Sequence, residues 1–398
     1  MILEITIAVI IGILAGIFTG LTPGIHTNLI AVLLLSLSPF LLQITTPITL
    51  ITFIIAMSVT HTFFNAIPAI YLGAPESGED ALSVLPGHRM LLQGKGYEAL
   101  ALTIIGGVFA LIIGIMITPL IIKVIPVAYN YIQNYIGYVL LLASIFLIFR
   151  ERKRLWPLVI FLLSGCFGLA TLNLNIKDPL FPMLSSLFGI AGILISLNDK
   201  VKIPEQKITV PKIFTKETYK AMSSGTIVGT FTSMLPGLGP AEAAIIGAQL
   251  VKLKDSGFLI LVGALDTLNM LMSFIALYTI EKARNGSVIT ISKLLPQMTL
   301  ENLIFFLIIS LISGLISSYL CMKTAKKVSG YITKINYQKL SIVIILFIII
   351  MTVFLSGFLG LLILFIGSFI GMLPPLLGIG RNHLMGCLLL PVILFFLF

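Results

Sequence analysis

From Ala99 to Ile122 the chain carries no charged side chain, and the same holds from Gly137 to Phe149 and from Leu340 to Leu355. A helix needs about 20 apolar residues to cross the hydrocarbon core of a bilayer, so runs of this kind, repeated along the chain, fit lipid rather than water. Only 10% of the 398 residues are Asp, Glu, Lys or Arg and 58% are hydrophobic, against roughly 25% charged in a soluble domain. The expectation is an all-α polytopic protein of the cell membrane. The N-terminus is apolar from Met1 and lacks a basic stretch and a small-residue cleavage site, so it is read as mature structure rather than a signal peptide.

The formal net charge of +10 would raise nucleic acid as a partner in a soluble protein. Here the basic residues sit in short loops between apolar runs, the distribution that orients membrane helices, and no basic face with interleaved aromatics exists to bind nucleic acid. Cys166, Cys321 and Cys387 lie inside apolar runs at no metal-ligand spacing and read as small core residues. His26, His61, His88 and His383 are too scattered for a zinc site, so no metal and no cofactor is expected. No phosphate loop, nucleophile elbow or paired-histidine zinc motif is present, which argues against an enzyme and against an ATP-driven pump.

The segment from Gly12, GILAGIFTGLTPGIHTN, recurs from Gly225 as GTIVGTFTSMLPGLGPA, with Gly12, Gly16, Phe18, Thr19, Pro23 and Gly24 matching Gly225, Gly229, Phe231, Thr232, Pro236 and Gly237. Weaker echoes follow in the same order, such as GCFGL from Gly165 and GFLGL from Gly357. Order kept along the whole chain argues duplication. Charge then suggests how the copies are oriented. The loop after Ile122 holds only Lys123, whereas its counterpart holds Lys323, Lys326, Lys327, Lys334 and Lys339; one helix later RERKR from Arg150 to Arg154 is matched by the uncharged Ser356-Gly357. Equivalent loops are therefore expected on opposite sides, as in an inverted repeat. The division expected is a first inverted repeat over residues 1–197, a basic cytoplasmic linker over 198–215 and a second repeat over 216–398. Each repeat is read as a helical hairpin tipped by Pro-Gly and followed by about five transmembrane helices, with both termini outside.

Proline removes a backbone donor and glycine releases the helix constraint, so Pro23-Gly24 and Pro236-Gly237 break the chain at membrane depth. Such breaks are tolerated only where protein or a water-filled cavity satisfies the freed groups. A matched pair in two halves points to a binding site between them, with helix N-termini offered to an anion. The residues expected to bind substrate are Thr22, Pro23, Gly24, His26, Thr27 and Asn28 at the first tip, His61 and Asn65 in the polar interruption that follows, and Pro236, Gly237 and Gly239 at the second tip. Acids inside apolar runs are costly and by default functional. Glu242, Asp266 and Asn269 are expected to hold a coupling ion, Na⁺ or H⁺. Glu76, Glu79, Asp80, His88 and Arg89 read instead as a solvated cytoplasmic loop.

The two Pro-Gly motifs, GAPESGEDALSVLPGHRMLLQGKGYEAL from Gly73 to Leu100 and the closing RNHLMGCLLLPVIL from Arg381 to Leu394 together resemble the large permease subunit of the tripartite tricarboxylate transporters, the TctA family. The resemblance implies secondary, ion-gradient-driven uptake of a di- or tricarboxylate held between the two hairpins. It also implies two partners, a small membrane subunit and an extracytoplasmic binding protein. A polyprenyl-phosphate or other lipid-phosphate carrier is the alternative, because paired broken hairpins would also hold a phosphate headgroup.

Overall fold

The computed structural model describes residues 2–22, 27–73, 78–150, 155–198, 204–233, 239–283, 285–295, 297–332 and 337–398. Among them there is no strand; the chain is built from helices joined by short connections. The first half contributes α1 (Ile2–Leu21), α2 (Thr27–Leu41), α3 (Pro47–Phe64), α4 (Gly78–Leu92), α5 (Gly96–Ile132), α6 (Ile136–Arg150), α7 (Leu155–Leu172), α8 (Leu180–Leu184) and α9 (Ala191–Asn198). The second contributes α10 (Lys216–Thr232), α11 (Pro240–Leu250), α12 (Asp255–Ile280), α13 (Gly286–Leu294), α14 (Leu300–Ile332), α15 (Tyr337–Leu377) and α16 (Gly386–Leu397). Wide π turns at Pro68–Leu72 and Ser185–Ile190 extend α3 and join α8 to α9, and a 3₁₀ turn at Arg381–Met385 opens α16.

Among the described residues seven helices are long and apolar enough to cross a membrane, which makes this a multi-pass membrane protein. Their outward faces carry large apolar side chains such as Phe354, Phe358 and Phe365, as a lipid-facing surface requires. Cys321 and Cys387 are buried as expected, but Cys166 is exposed on α7, so it belongs to the outer face and not the core.

Helix pairing follows from where side chains are small enough to let backbones meet. At the crossing of α5 and α12, a Cβ on Gly106 would lie 2.1 Å from the Ile260 carbonyl oxygen and one on Gly263 would lie 2.0 Å from that of Thr103. Only two glycines permit that approach. Four kinds of contact then recur. α1 lies along α3 and α10 along α12; α2 packs on α13 and α11 on α4; α3 packs on α14 and α12 on α5; α7 packs on α16 and α15 on α8 and α9.

The apolar run that the sequence suggests from Leu340 to Leu355 does not end there. α15 continues to Leu377 across a break at Gly357, where φ is 70° and ψ is −168°. That region is strained for residues with a Cβ, by about 1–3 kcal/mol, so the break favours this one glycine.

One face of the molecule gathers the starts of α5, α10 and α12 with the extended segment between α9 and α10. The buried Gln206 side chain accepts from Gly96 N at 2.8 Å and donates to Leu91 O at 3.0 Å, and Lys207 N donates to Gly94 O at 2.8 Å. Across this linker face Arg89 pairs with Asp255 at 2.9 Å, and Glu217 accepts from Lys254 N at 2.5 Å. α4 is thus a helix packed on α5, α11 and α12, not the open loop that its charges suggest; Arg89 is exposed on it while His88 is half-buried.

Candidate functional site

Helix α1 ends at Leu21 and α2 begins at Thr27; α10 ends at Thr232 and α11 begins at Pro240. The helices stop and restart around both Pro-Gly pairs, because neither proline nor the glycine beside it supports a continuous ladder of helical bonds. Pro23, Gly24, His26, Pro236 and Gly237 themselves lie outside the described residues. Of the flanking positions, Thr22 and Gly239 are half-buried and Thr27 is buried. The Gly239 carbonyl accepts from Ala243 N at 3.2 Å, which starts α11. Glu242 falls in the first turn of that helix; its side chain lies outside the described residues.

Asn28, just inside α2, reaches the other half of the chain. Its Oδ1 accepts from Ser287 N at 3.1 Å and is 3.5 Å from Ser287 Oγ. Gly286 fits against it so closely that a Cβ there would be 2.8 Å from Asn28 Cβ. Ser287 lies in the first turn of α13, capped by Asn285, whose Oδ1 accepts from Val288 N at 2.9 Å while its Nδ2 points to Ser273 Oγ at 3.5 Å and Met270 Sδ at 3.4 Å. The beginning of α13 is therefore held against α12, and its positive dipole end meets the start of α2. Asn285 and Ser287 are functional candidates that sequence reasoning missed. The signal was present: Asn-Gly-Ser before a short apolar helix is an N-cap pattern, but beside Lys282 and Arg284 it passes for a loop.

His61 and Asn65 are both buried near the end of α3 and do different things. His61 Nδ1 is 3.1 Å from Thr19 Oγ1, whose own hydroxyl donates to Gly16 O at 3.2 Å, so His61 joins α3 to α1 within the first half. Asn65 crosses between halves and donates from Nδ2 to Asp266 Oδ2 at 3.0 Å. Asp266 is half-buried on α12. At 1.5 Å per residue it lies about 16 Å along α12 from Asp255, near the middle of that 26-residue apolar helix. Beside it Thr267 is buried and its hydroxyl has no hydrogen-bond partner among the described residues. Asn269 is half-buried one turn on, and its carbonyl accepts from Ser273 Oγ at 2.7 Å.

Other polar bridges hold the same region to α14: Thr60 Oγ1 to Ser317 Oγ at 2.7 Å, Cys321 Sγ donating to Phe63 O at 3.2 Å, and Tyr71 Oη to Ser329 Oγ at 2.6 Å. A separate cavity of about 470 Å³ opens at the linker face between Lys95, Glu98, Lys207, Lys212 and Glu217. It does not touch the Asn65 and Asp266 pair.

The geometry is that of a polar centre inside an apolar helix bundle, assembled from both halves of the chain. Residues 6–386 match the family described as the tripartite tricarboxylate transporter TctA family. An uncharacterized protein of Methanocaldococcus jannaschii is 29% identical over 400 residues, covering 98% of each chain. No solved structure matches. The family match spans almost the whole length of the sequence, including both helix breaks and the Asn65 and Asp266 centre, and it makes this protein a transporter rather than an enzyme: the chain belongs to the tripartite tricarboxylate transporter TctA family.

Proposed function

We propose that this permease moves a di- or tricarboxylate across the bilayer together with Na⁺ or H⁺, from a site between the two interrupted hairpins. The observation that carries the proposal is the Asn65 to Asp266 hydrogen bond of 3.0 Å, which sets an amide and an acid from different halves together near the middle of the membrane. An acid there is expensive unless it has a partner or a cation. The carboxylate of the substrate would be met by helix N-termini, those of α2, α11 and α13, with Thr22, Thr27, Asn28 and the backbone around Gly239 as donors. Asp266, with Asn269, the Thr267 hydroxyl and Glu242, would hold the cation, whose charge offsets that of the anion while both cross hydrocarbon.

In this proposal residues 1–197 and 216–398 are inverted copies joined by the linker, and the linker face is cytoplasmic. The recurring contacts support it. Within the halves α1 with α3 recurs as α10 with α12, and partners are exchanged between halves: α2 with α13 as α11 with α4, and α3 with α14 as α12 with α5. Lysines 95, 207, 212, 216, 220, 252 and 254 at or near the linker face agree with a positive inside. Rocking of one half against the other would then open the centre alternately to each side.

The test is uptake of labelled citrate, malate and succinate into liposomes that contain this chain alone, with and without a Na⁺ or pH gradient. Gradient-dependent uptake is expected. If uptake appears only after a small membrane subunit and a binding protein are added, the transport proposal holds and the chain's independence does not. No uptake under either condition, with tight binding of a polyprenyl phosphate, refutes it in favour of lipid-phosphate carriage.

A further inference from the structure

We propose that Arg381 is a second anion-binding point on the transport path, the group that receives the substrate's carboxylate on the linker side of the central site. The proposal rests on the carboxylate-transport reading above and adds to it a residue, a place and a sidedness. Arg381 opens the 3₁₀ turn Arg381–Met385, ahead of α16, and is half-buried. It meets α9 and lies within electrostatic reach of α4. A Cβ on Gly192 of α9 would lie 3.1 Å from the guanidinium Nη1, so the close approach of this group depends on a residue without a side chain. On α4, His88 feels its charge: burial pushes the His88 pKa below 6.5, the hydrogen bond to Ile70 O opposes that, and Arg381 adds to the lowering. His88 is therefore a neutral neighbour at pH 7 and no counter-charge.

Among the described residues Arg381 has neither a carboxylate in ion-pair contact nor a hydrogen-bond partner for its guanidinium. A guanidinium has five donors in a planar fork, and a half-buried cation left without an anion is unfavourable. The fork matches a carboxylate with two parallel bonds, the chemistry of the proposed substrate. The position matches as well. The π turn Pro68–Leu72 runs on from Asn65 to Ile70, about 8 Å along the helix axis; His88 Nδ1 lies 3.4 Å from Ile70 O, and a Cβ on Gly73, just past that turn, would lie 4.0 Å from Ile193 of α9, the residue after the Gly192 that Arg381 approaches. On the far side of His88, Leu91 and Gly94 bond the extended linker. Arg381 thus lies beside α9, past the end of the turn that leads from Asn65 towards the linker face. A carboxylate leaving the centre in that direction meets no other described arginine before the exposed Arg89, which is already paired with Asp255.

The test uses the full chain in liposomes with one orientation, checked by protease cleavage of the linker, and reads exchange of labelled citrate and succinate from each face. Arg381→Gln is expected to weaken half-saturation by about tenfold or more on the linker face, the loss of one charge-assisted carboxylate contact, and by less than about twofold on the opposite face. Arg381→Lys keeps the charge without the fork and is expected to fall between. Unchanged half-saturation on both faces in Arg381→Gln overturns the assignment while transport itself stands. An effect of the variant only on dependence upon anionic lipid, with carboxylate half-saturation unchanged, also overturns it and makes a lipid phosphate the partner. Absence of exchange in the unsubstituted chain, also after a small membrane subunit and a binding protein are added, overturns both this proposal and the transport reading. Should Arg381→Gln fail to purify as folded protein, mass-spectrometric mapping of dicarbonyl modification in the unsubstituted chain takes its place. Citrate is expected to slow modification of Arg381 and not of Arg89; equal rates at Arg381 with and without citrate refute the proposal.

Discussion

Replacing Asn65 and Asp266 by alanine, singly and together, measures how strongly the two halves are tied at the centre. The bond between them is 3.0 Å long with a half-buried carboxylate as acceptor. In water-soluble proteins a hydrogen bond to a charged group contributes about 1.5–3 kcal/mol. Between membrane helices the same kind of measurement averages about 0.6 and reaches about 1.7 kcal/mol, because the unfolded chain in lipid finds other partners. A charged acceptor at mid-membrane depth belongs at the upper end of that range. The expected coupling energy is about 1.5 kcal/mol, close to a tenfold change in the unfolding equilibrium. Asn65→Ala alone is expected to cost about 1–3 kcal/mol, since the carboxylate keeps its burial and loses a donor. Reversible unfolding of the four proteins in mixed micelles, followed by circular dichroism, gives the cycle. A coupling within about 0.3 kcal/mol of zero would refute the argument that this pair joins the halves. The same variants separate structure from function in transport assays: Asp266→Asn keeps the shape and a hydrogen-bond acceptor, so it is expected to abolish cation dependence well before it unfolds the protein.

Gly263→Val places a Cβ 2.0 Å from the Thr103 carbonyl oxygen, so α5 and α12 must separate; size-exclusion chromatography is expected to show little monodisperse protein. Gly357→Ala has open space around the new methyl and is expected to cost only the backbone strain of φ 70°, about 1–3 kcal/mol, read by thermal unfolding. Asn285→Ala removes the cap of α13 and is expected to cost about 1 kcal/mol and to weaken substrate half-saturation, with Asn285→Ser restoring the cap but not the reach to Ser273. For His88 the direction is set by a folded-state pKa below 6.5 caused first by burial. The unfolded chain then binds more protons than the folded one as pH falls through 6.5, so stability rises with pH towards 6.5 and levels off above it. His88→Gln is expected to remove that part of the pH dependence, and an unchanged unfolding profile between pH 5 and 7 in the variant would refute the assignment.

The membrane class and both helix breaks are readable in the sequence because they depend on local chemistry. Pro23-Gly24 and Pro236-Gly237 interrupt apolar runs, and the helices do end at Leu21 and Thr232 and restart at Thr27 and Pro240. Asp266 stands out as an acid in a long apolar run, and Asn65 as an amide in another. Their pairing does not stand out, because they lie far apart in sequence and nothing local records the contact. Helix pairing is hidden for a related reason: when most faces of a helix are apolar, the period that marks the buried side of a soluble helix is lost. Only small residues then indicate which face approaches a neighbour, as at Gly106 and Gly263. Gly357 is visible in the repeated GxxGL pattern, but the pattern alone does not tell a packing glycine from one at positive φ. Arg381 is visible only as part of a terminal motif; its burial and lack of a described ion partner are properties of the fold.

The polar groups fall into two kinds once their partners are known, and the division bears on how such a bundle could move. His61 with Thr19 ties α3 to α1, and the capped α13 ties Asn285 to α12. These bonds lie within one half and would travel with it. Asn65 with Asp266, Asn28 with Ser287 and Thr60 with Ser317 join different halves. A motion of one half against the other must exchange bonds of the second kind and can leave the first intact. The inter-half bonds at Asn65 and Asn28 also touch the residues proposed to hold cation and anion, so ligands that compete for Asp266 or for the start of α13 would alter the very contacts that hold the halves together. That is a physical route by which occupancy could select conformation: a ligand shifts an equilibrium only through a difference in its interactions with the two states. Here the difference would arise where carboxylate and cation replace protein groups as partners.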